Sequence, residues 1–389
     1  MRYGTLIRIF AACLTLGALT AVTADAQVKE AKVDCDKGDS INQAIAKLNP
    51  REPGRVLVSG TCTETIDVFN YNDLSVVGQP GAVLIPDPAF DEAVFVNVAI
   101  RFRLQGFTIN GSGASIGVSL FRCVNCVVTG NTLNGVAAGI SAVTNSSVDV
   151  SNNSIFVSGT VPGGTAAGVG VAQVSRATLA GNLIEHTGPP DGGSIGLHVS
   201  GNSSARVNPG STFRGFGRGI EAGTGGAVQI FGPPNLTDPG FPLIENNQEA
   251  GVRSEGGVLW FHGHTRVTGN GNMNPYSGGI VVDDGGNLRL ANLVEVTNNL
   301  KNGVLLTNNS TGFFQGGINI SNNQRNGVVV ITSSTLGMNT GFGPNTVGGN
   351  TAQDIYCDSH SLITGGASVA GATKIMCTNL KAGKSDPIP

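Results

Sequence analysis

The stretch "NNLKNGVLLTN" beginning at Asn298 is written again, 24 residues on, as "NNQRNGVVVIT" beginning at Asn322. "NNQEAGV" from Asn246 and the variant "GNTAQDI" from Gly349 share its frame, and Gly-aliphatic openings recur at Gly117, Gly139, Gly168, Gly196, Gly219 and Gly279. Successive openings lie 22 to 32 residues apart, which marks one structural unit per period. Counting back from Asn270, Asn299 and Asn323 gives three columns: Phe261, Leu290 and Phe314; Thr265, Val294 and Ile318; Val267, Val296 and Ile320. All are apolar but one Thr, and they alternate with polar positions at the period of a strand.

A helical repeat would need apolar residues at three and four spacing with good helix formers between them. Gly, Asn, Ser and Thr stand there instead, and they suit turns and left-handed backbone. The 58 glycines and the 13% charged content agree with many short strands and tight turns. The expected fold is all-β, a right-handed parallel β-helix of 22–32-residue coils, the hand following from the strand-crossover-strand rule. An Asn at the same turn of each coil can bond the next through its amide, or serve as a residue that tolerates the left-handed region. Both roles are compatible.

An open solenoid needs its ends covered. "SINQAIAKL" puts Ile41, Ala44, Ile45 and Leu48 on one helical face, and Ser40 with Gln43 has capping-box spacing. This short helix is the expected N-terminal lid, within a cap over 27–55. A C-terminal cap and tail are expected over 354–389, the whole of 27–389 forming one domain.

The first 26 residues carry Arg2 and Arg8 before an apolar stretch and end on Ala24-Asp25-Ala26, as a secretory signal would. Taking Arg2, Arg8 and Asp25 from 23 basic and 26 acidic residues leaves 21 and 25, a net charge of -4. That balance excludes nucleic acid as a partner, and no later apolar run is long enough to span a bilayer. A secreted or periplasmic chain is expected, with six cysteines after Cys13 leaves: Cys35, Cys62, Cys123, Cys126, Cys357 and Cys377. Short local loops favour Cys35 with Cys62 and Cys357 with Cys377, whereas the connectivity of Cys123 and Cys126 stays open.

The lid followed by "GRVLVSGTCTETIDVFNYNDLSVVGQPGAVL", with the repeats from Gly117 to Ile355, resembles the pectate-lyase-like superfamily of right-handed parallel β-helix proteins. The resemblance implies the fold over nearly the whole chain. It leaves the activity open among polysaccharide lyases, glycoside hydrolases, epimerases, esterases and non-catalytic members. Asp283-Asp284 matches the Asp pair of the polygalacturonase branch. However, "HGH" at His262 to His264 precedes that pair and is a different motif, and the Asp-Pro-His-Asp of alginate epimerases is absent.

Outward positions give the candidate site. His198, Glu221, Arg253 and Val281 should align up one sheet, with Glu255 and Asp283 neighbours two residues on. Glu255, Asp283, Arg253 and Glu221 are the candidate catalytic residues, since paired carboxylates suit glycoside hydrolysis and a lyase needs a cation and a base. The alternative is a surface ion pair of Glu221 with Arg253. A second outward strip, Trp260, His262, His264 and Arg266, should place Trp260 over Arg289 and Phe313 and Arg266 against Glu295. Trp260, His262, His264 and His198 are the candidate substrate-binding residues, because aromatic faces flanked by donors suit sugars. No metal or other cofactor is expected, with calcium at the Asp283-Asp284-Gly285-Gly286 turn as the open alternative. The expected partner is a polysaccharide or cell-envelope glycan. The two function classes are a carbohydrate-active enzyme, a lyase or glycoside hydrolase acting on uronic-acid-containing glycans, and a non-catalytic surface or adhesion scaffold.

Overall fold

The structure, a computed structural model, describes residues 28–111, 116–159, 166–189, 192–274 and 276–381. The expected signal segment 1–26 lies outside the described residues. Each coil contributes one strand to each of three parallel sheets of 13, 15 and 13 strands. In chain order we name them the opening sheet (for example Gly278–Asp283), the middle sheet (Asn287–Ala291) and the closing sheet (Val294–Thr297). The three columns counted from the asparagines are in register and inward. Phe261 pairs with Leu290 and Leu290 with Phe314, while Val267 pairs with Val296 and Val296 with Ile320. Each of these side chains is buried, Thr265 included.

The Asn-Asn pairs divide the two roles between their members. The first Asn adopts the left-handed region, with φ 56° at Asn246, 57° at Asn298 and 58° at Asn322, and Gly takes that place at Gly269 and Gly349. The second Asn points inward, fully buried, and bonds the next coil: Nδ2 of Asn270 to Oδ1 of Asn299 at 3.1 Å, Asn299 to Asn323 at 3.0 Å and Asn323 to Asn350 at 2.9 Å. The same amide also donates to a backbone carbonyl, as from Asn299 to Val267 O at 3.1 Å. This ladder runs from Asn247 to Asn350 at the corner between closing and opening sheets. An earlier one, Asn131, Asn153 and Asn182, occupies the corner between middle and closing sheets. Serines make a third ladder at the remaining corner, for example Ser310 N to Ser334 Oγ at 3.1 Å.

The glycine that opens a strand is explained by the same crowding. A Cβ on Gly279 would sit 2.6 Å from the Asn299 amide and 2.9 Å from the carbonyl of Gly303. The motif therefore reads as a left-handed residue, a ladder amide, and a strand start that passes over the ladder.

The N-terminal lid is the helix Ile41–Ala46, with Ile41, Ala44 and Ile45 buried. Ser40 Oγ accepts from Gln43 N at 3.3 Å, and Glu64 of the first coil accepts from Ile41 N at 2.7 Å and Asn42 N at 3.3 Å. The first free N–H groups of the helix are thus met by the solenoid beneath it. Disulfides join Cys35 to Cys62 and Cys357 to Cys377 as expected, and a third joins Cys123 to Cys126 across a corner. Coil strands continue to Leu380–Lys381, so the solenoid runs through much of the segment expected to be a C-terminal cap.

Asn299→Ala should lower unfolding stability by about 1–3 kcal/mol, because it strands buried partners in both neighbouring coils. Asn298→Gly, at a left-handed position that glycine adopts freely, should be close to neutral. Chemical denaturation of the two variants checks the division of roles.

Candidate functional site

Two outer faces carry the candidate residues. On the opening sheet, His198, Glu221, Arg253 and Val281 lie side by side in successive coils, and Glu255 pairs in register with Asp283. The charged groups form a chain of alternating sign. His198 Nε2 lies 3.8 Å from Glu221 Oε1, and Arg218 joins Glu221 to Glu249, its Nε 2.7 Å from Glu249 Oε2. Arg253 Nη1 lies 2.8 Å from the other Glu249 oxygen, and its Nη2 reaches Glu255 at 3.5 Å and Asp283 at 3.6 Å. Asp283 Oδ1 also accepts from Asn308 Nδ2 at 2.7 Å and from Asp284 N at 2.8 Å.

This geometry corrects the expected pairing of Glu221 with Arg253. The two are in register, yet Glu221 is held by Arg218 three residues before it, and Arg253 turns to Glu249. Glu249 sits ahead of its strand and between the two guanidiniums, so each of its oxygens serves one arginine. Burial disfavours the charge on Arg218, but Glu221 and Glu249 outweigh it and raise its pKa. Glu221 is only 8% exposed, Asp283 20% and Glu255 41%, so a ligand can reach the last two. Arg218 and Glu249 are the residues that outward-alternation reasoning missed. Both precede the Gly-aliphatic opening, where the count of outward positions began.

On the middle sheet, Trp260, Arg289, Phe313 and Gly337 are in register. The Arg289 guanidinium lies 5.2 Å from the Trp260 ring centre, and Phe231 meets the other side of Trp260 edge-on at 5.9 Å. Arg206 in turn covers Phe231 at 4.2 Å. A Cβ on Gly337 would lie 2.9 Å from the Phe313 ring, so the bare glycine lets that ring lie across the next coil. Beside this run is a groove of about 810 Å³, lined by Trp260, Asn287, Arg289, Thr311, Phe313 and Gln315 among others, with Arg289 its one charged side chain among the described residues.

His262 stays with this face, 6.1 Å from Phe231 and 5.9 Å from Phe342. His264 does not. Gly263, at φ 87°, turns the corner to the closing sheet. His264 is buried beneath Phe241, its ring 4.2 Å from that ring and its Nε2 3.3 Å from Glu295 Oε2. Arg266 meets Glu295 at 2.8 Å as expected, but on the closing sheet rather than beside Trp260.

Among the described residues, no three His, Cys, Asp or Glu side chains gather into a set that could hold a metal ion. Among the same residues, no helix is long and apolar enough to cross a membrane.

No protein-family model and no curated protein sequence matches the chain. Solved structures do. The A-module of the Azotobacter vinelandii mannuronan C-5 epimerase AlgE6 aligns with a TM-score of 0.57 at 12% identity, covering 86% of this chain and 95% of that one. The A-module of AlgE4 from the same organism aligns at 0.55 and 11%, covering 80% and 91%. A double mutant of the periplasmic alginate epimerase AlgG aligns at 0.53 and 12%, covering 90% and 84%. These likenesses establish a shared parallel β-helix fold.

Proposed function

We propose that the protein is an exported polysaccharide-binding β-helix whose principal contact is the middle-sheet groove, and that the chain it takes bears uronic acids. The observation that carries this reading is the run of Arg206, Phe231, Trp260, Arg289 and Phe313 beside a groove without a carboxylate. Aromatic faces receive the C–H faces of sugars, and guanidiniums receive carboxylates in paired hydrogen bonds. The structures that share the coil geometry are named for mannuronan and alginate, which fits a glycan partner. Export rests on the sequence of residues 1–26 and agrees with three disulfides.

Titration with oligomannuronate and oligogalacturonate tests the reading. Trp260→Ala should weaken binding by about 1–3 kcal/mol, Arg289→Gln should remove most of its salt dependence, and thermal unfolding should change little. Equal affinity in both variants and the parent would sink it.

Catalysis is assigned to the opening sheet in this proposal. Glu255 and Asp283 are the carboxylates a ligand can reach, Arg253 orients both, and Glu221 serves the network from beneath, with His198 at its edge. Incubation with uronic-acid and neutral glycans should yield unsaturated products or new reducing ends, and Glu255→Gln with Asp283→Asn should abolish them. A specific observation favours the non-catalytic scaffold as second reading: each carboxylate of the network is already engaged by a cation, which suits structure better than proton transfer. Absence of product from the parent chain would select it.

Calcium has little room in the proposal, since Asp283 Oδ1 is already occupied by Asn308 and Asp284 N. Chelation should leave binding and melting temperature unchanged. A calcium-dependent rise in melting temperature that Asp283→Asn removes would instead place an ion at that turn.

A further inference from the structure

The corner between the opening and middle sheets carries a line of apolar side chains left open to solvent. Phe69, Val98, Ile100, Val124 and Val174 are each between 41% and 62% exposed. Phe69 ends the opening strand Ile66–Phe69. The next two opening strands, Glu92–Ile100 and Ile116–Val124, run on across the corner and set Ile100 in register beside Val124. Val174 stands on the same corner two coils further, so the line spans four coil steps, about 19 Å at the spacing of parallel strands. Phe95, half-buried, adds its ring to this ridge, 5.6 Å from that of Phe69.

Val98 and Val174 sit there against the preference of their own backbone. The corner needs left-handed residues, and Asn70, Asn145, Asn202 and Asn308 supply them at φ between 52° and 60°. Val98 and Val174 adopt the same region at φ 56° and 64°, where a β-branched side chain crowds its backbone. Thr144 and Thr332, also branched, gain a bond through the hydroxyl, Thr144 donating to Gln173 Oε1 and Thr332 accepting from Thr307. The valines gain neither a bond nor burial. Strain that no internal contact offsets points to a use outside the chain.

Guanidiniums stand along the ridge. Arg101 pairs with Asp73 at 3.2 Å, Arg122 lies 5.0 Å from the centre of the Phe121 ring, and Arg176 opens the middle strand that follows Val174. Neither Arg122 nor Arg176 has a carboxylate partner among the described residues. Of the other charges nearby, Arg103 and Asp149 stand on either side of Val127 on the middle sheet and offset each other, and burial raises the pKa of Asp67 on the opening sheet.

We infer that this ridge docks the protein on a phospholipid surface, with the apolar side chains at the boundary of headgroups and acyl chains and Arg122 and Arg176 on lipid phosphates. A deformable surface fits a convex line of apolar groups. Long basic side chains whose stems lie along that line hold their charge at the level of the phosphates. A second copy fits worse, since two convex edges meet along a strip too narrow for a stable interface and set guanidiniums against guanidiniums. A glycan fits worse too, because branched aliphatic side chains give a sugar ring no flat face.

This inference is independent of the glycan reading, and vesicle sedimentation tests it. The chain from Gln27 onward, which holds every described residue and lacks the apolar segment 1–26, is spun with vesicles of phosphatidylethanolamine and phosphatidylglycerol. It should sediment with them, and Val98→Asn with Val174→Asn should weaken the partition about tenfold, as two lost valine contacts predict. Asn is the residue this corner ordinarily uses, so the double variant should unfold no more easily than the parent, which separates docking from folding. Arg122→Gln with Arg176→Gln should also weaken the partition and flatten its dependence on salt, while Trp260→Ala should leave it unchanged. Failure to sediment with these vesicles, or a partition that the valine substitutions leave intact, overturns the inference. Concentration-dependent self-association of the parent that the same substitutions abolish overturns it too, by assigning the ridge to a second copy.

Discussion

A polar group sealed inside this solenoid must find a partner in the adjacent coil, and the asparagine amide does so with little waste. Its Nδ2 reaches the Oδ1 of the next Asn and a backbone carbonyl, while its Oδ1 accepts from the coil before, as Asn299 does between Asn270 and Asn323. Such a chain of bonds is satisfied only when every coil turns its corner at the same height. It therefore fixes the stacking register in the way that a hydrophobic column, which tolerates small slips, does not. Gly279, Gly303 and Gly327 follow from it, since each must pass over a ladder amide that leaves no room for a Cβ.

Most of this architecture was legible because two periods coincide in the sequence. The coil period brings equivalent residues together, and the strand period of two sorts them into inward and outward. The register of Val267, Val296 and Ile320, and that of His198, Glu221 and Arg253, needed nothing more. Side-chain cover defeated the reasoning, because alternation says which way a residue faces and not what lies over it. His264 keeps the outward parity of His262 and Arg266, yet Phe241 covers it. The ladder itself changes corner between Asn182 and Asn247, yet Gly181-Asn182 and Gly269-Asn270 read alike, since both corners ask for a left-handed residue followed by a buried amide. Arg218 and Glu249 escaped for a related reason: they stand just before the strand opening, and their partners are chosen by side-chain reach rather than by register.

A solenoid presents each outer face as an independent linear array, and substitutions on one sheet leave the others untouched. This chain has used that freedom to give its faces different chemistry over the same coils. The middle sheet collects guanidiniums and aromatic rings, the opening sheet collects compensated charges followed by an apolar floor, and the closing sheet carries Arg214 between Glu185 and Glu245. The one-coil spacing makes every such array a ruler for a polymer running along the axis, whatever its charge.

The charge chain on the opening sheet has a consequence for that polymer. Arg218 and Arg253 share Glu249, so neither guanidinium can swing to a ligand without leaving one oxygen of that partly buried carboxylate without its partner. The network thus acts as a fixed template rather than as a set of free hands. Only its outer members, Glu255 and the second oxygen of Asp283, keep valence for a guest.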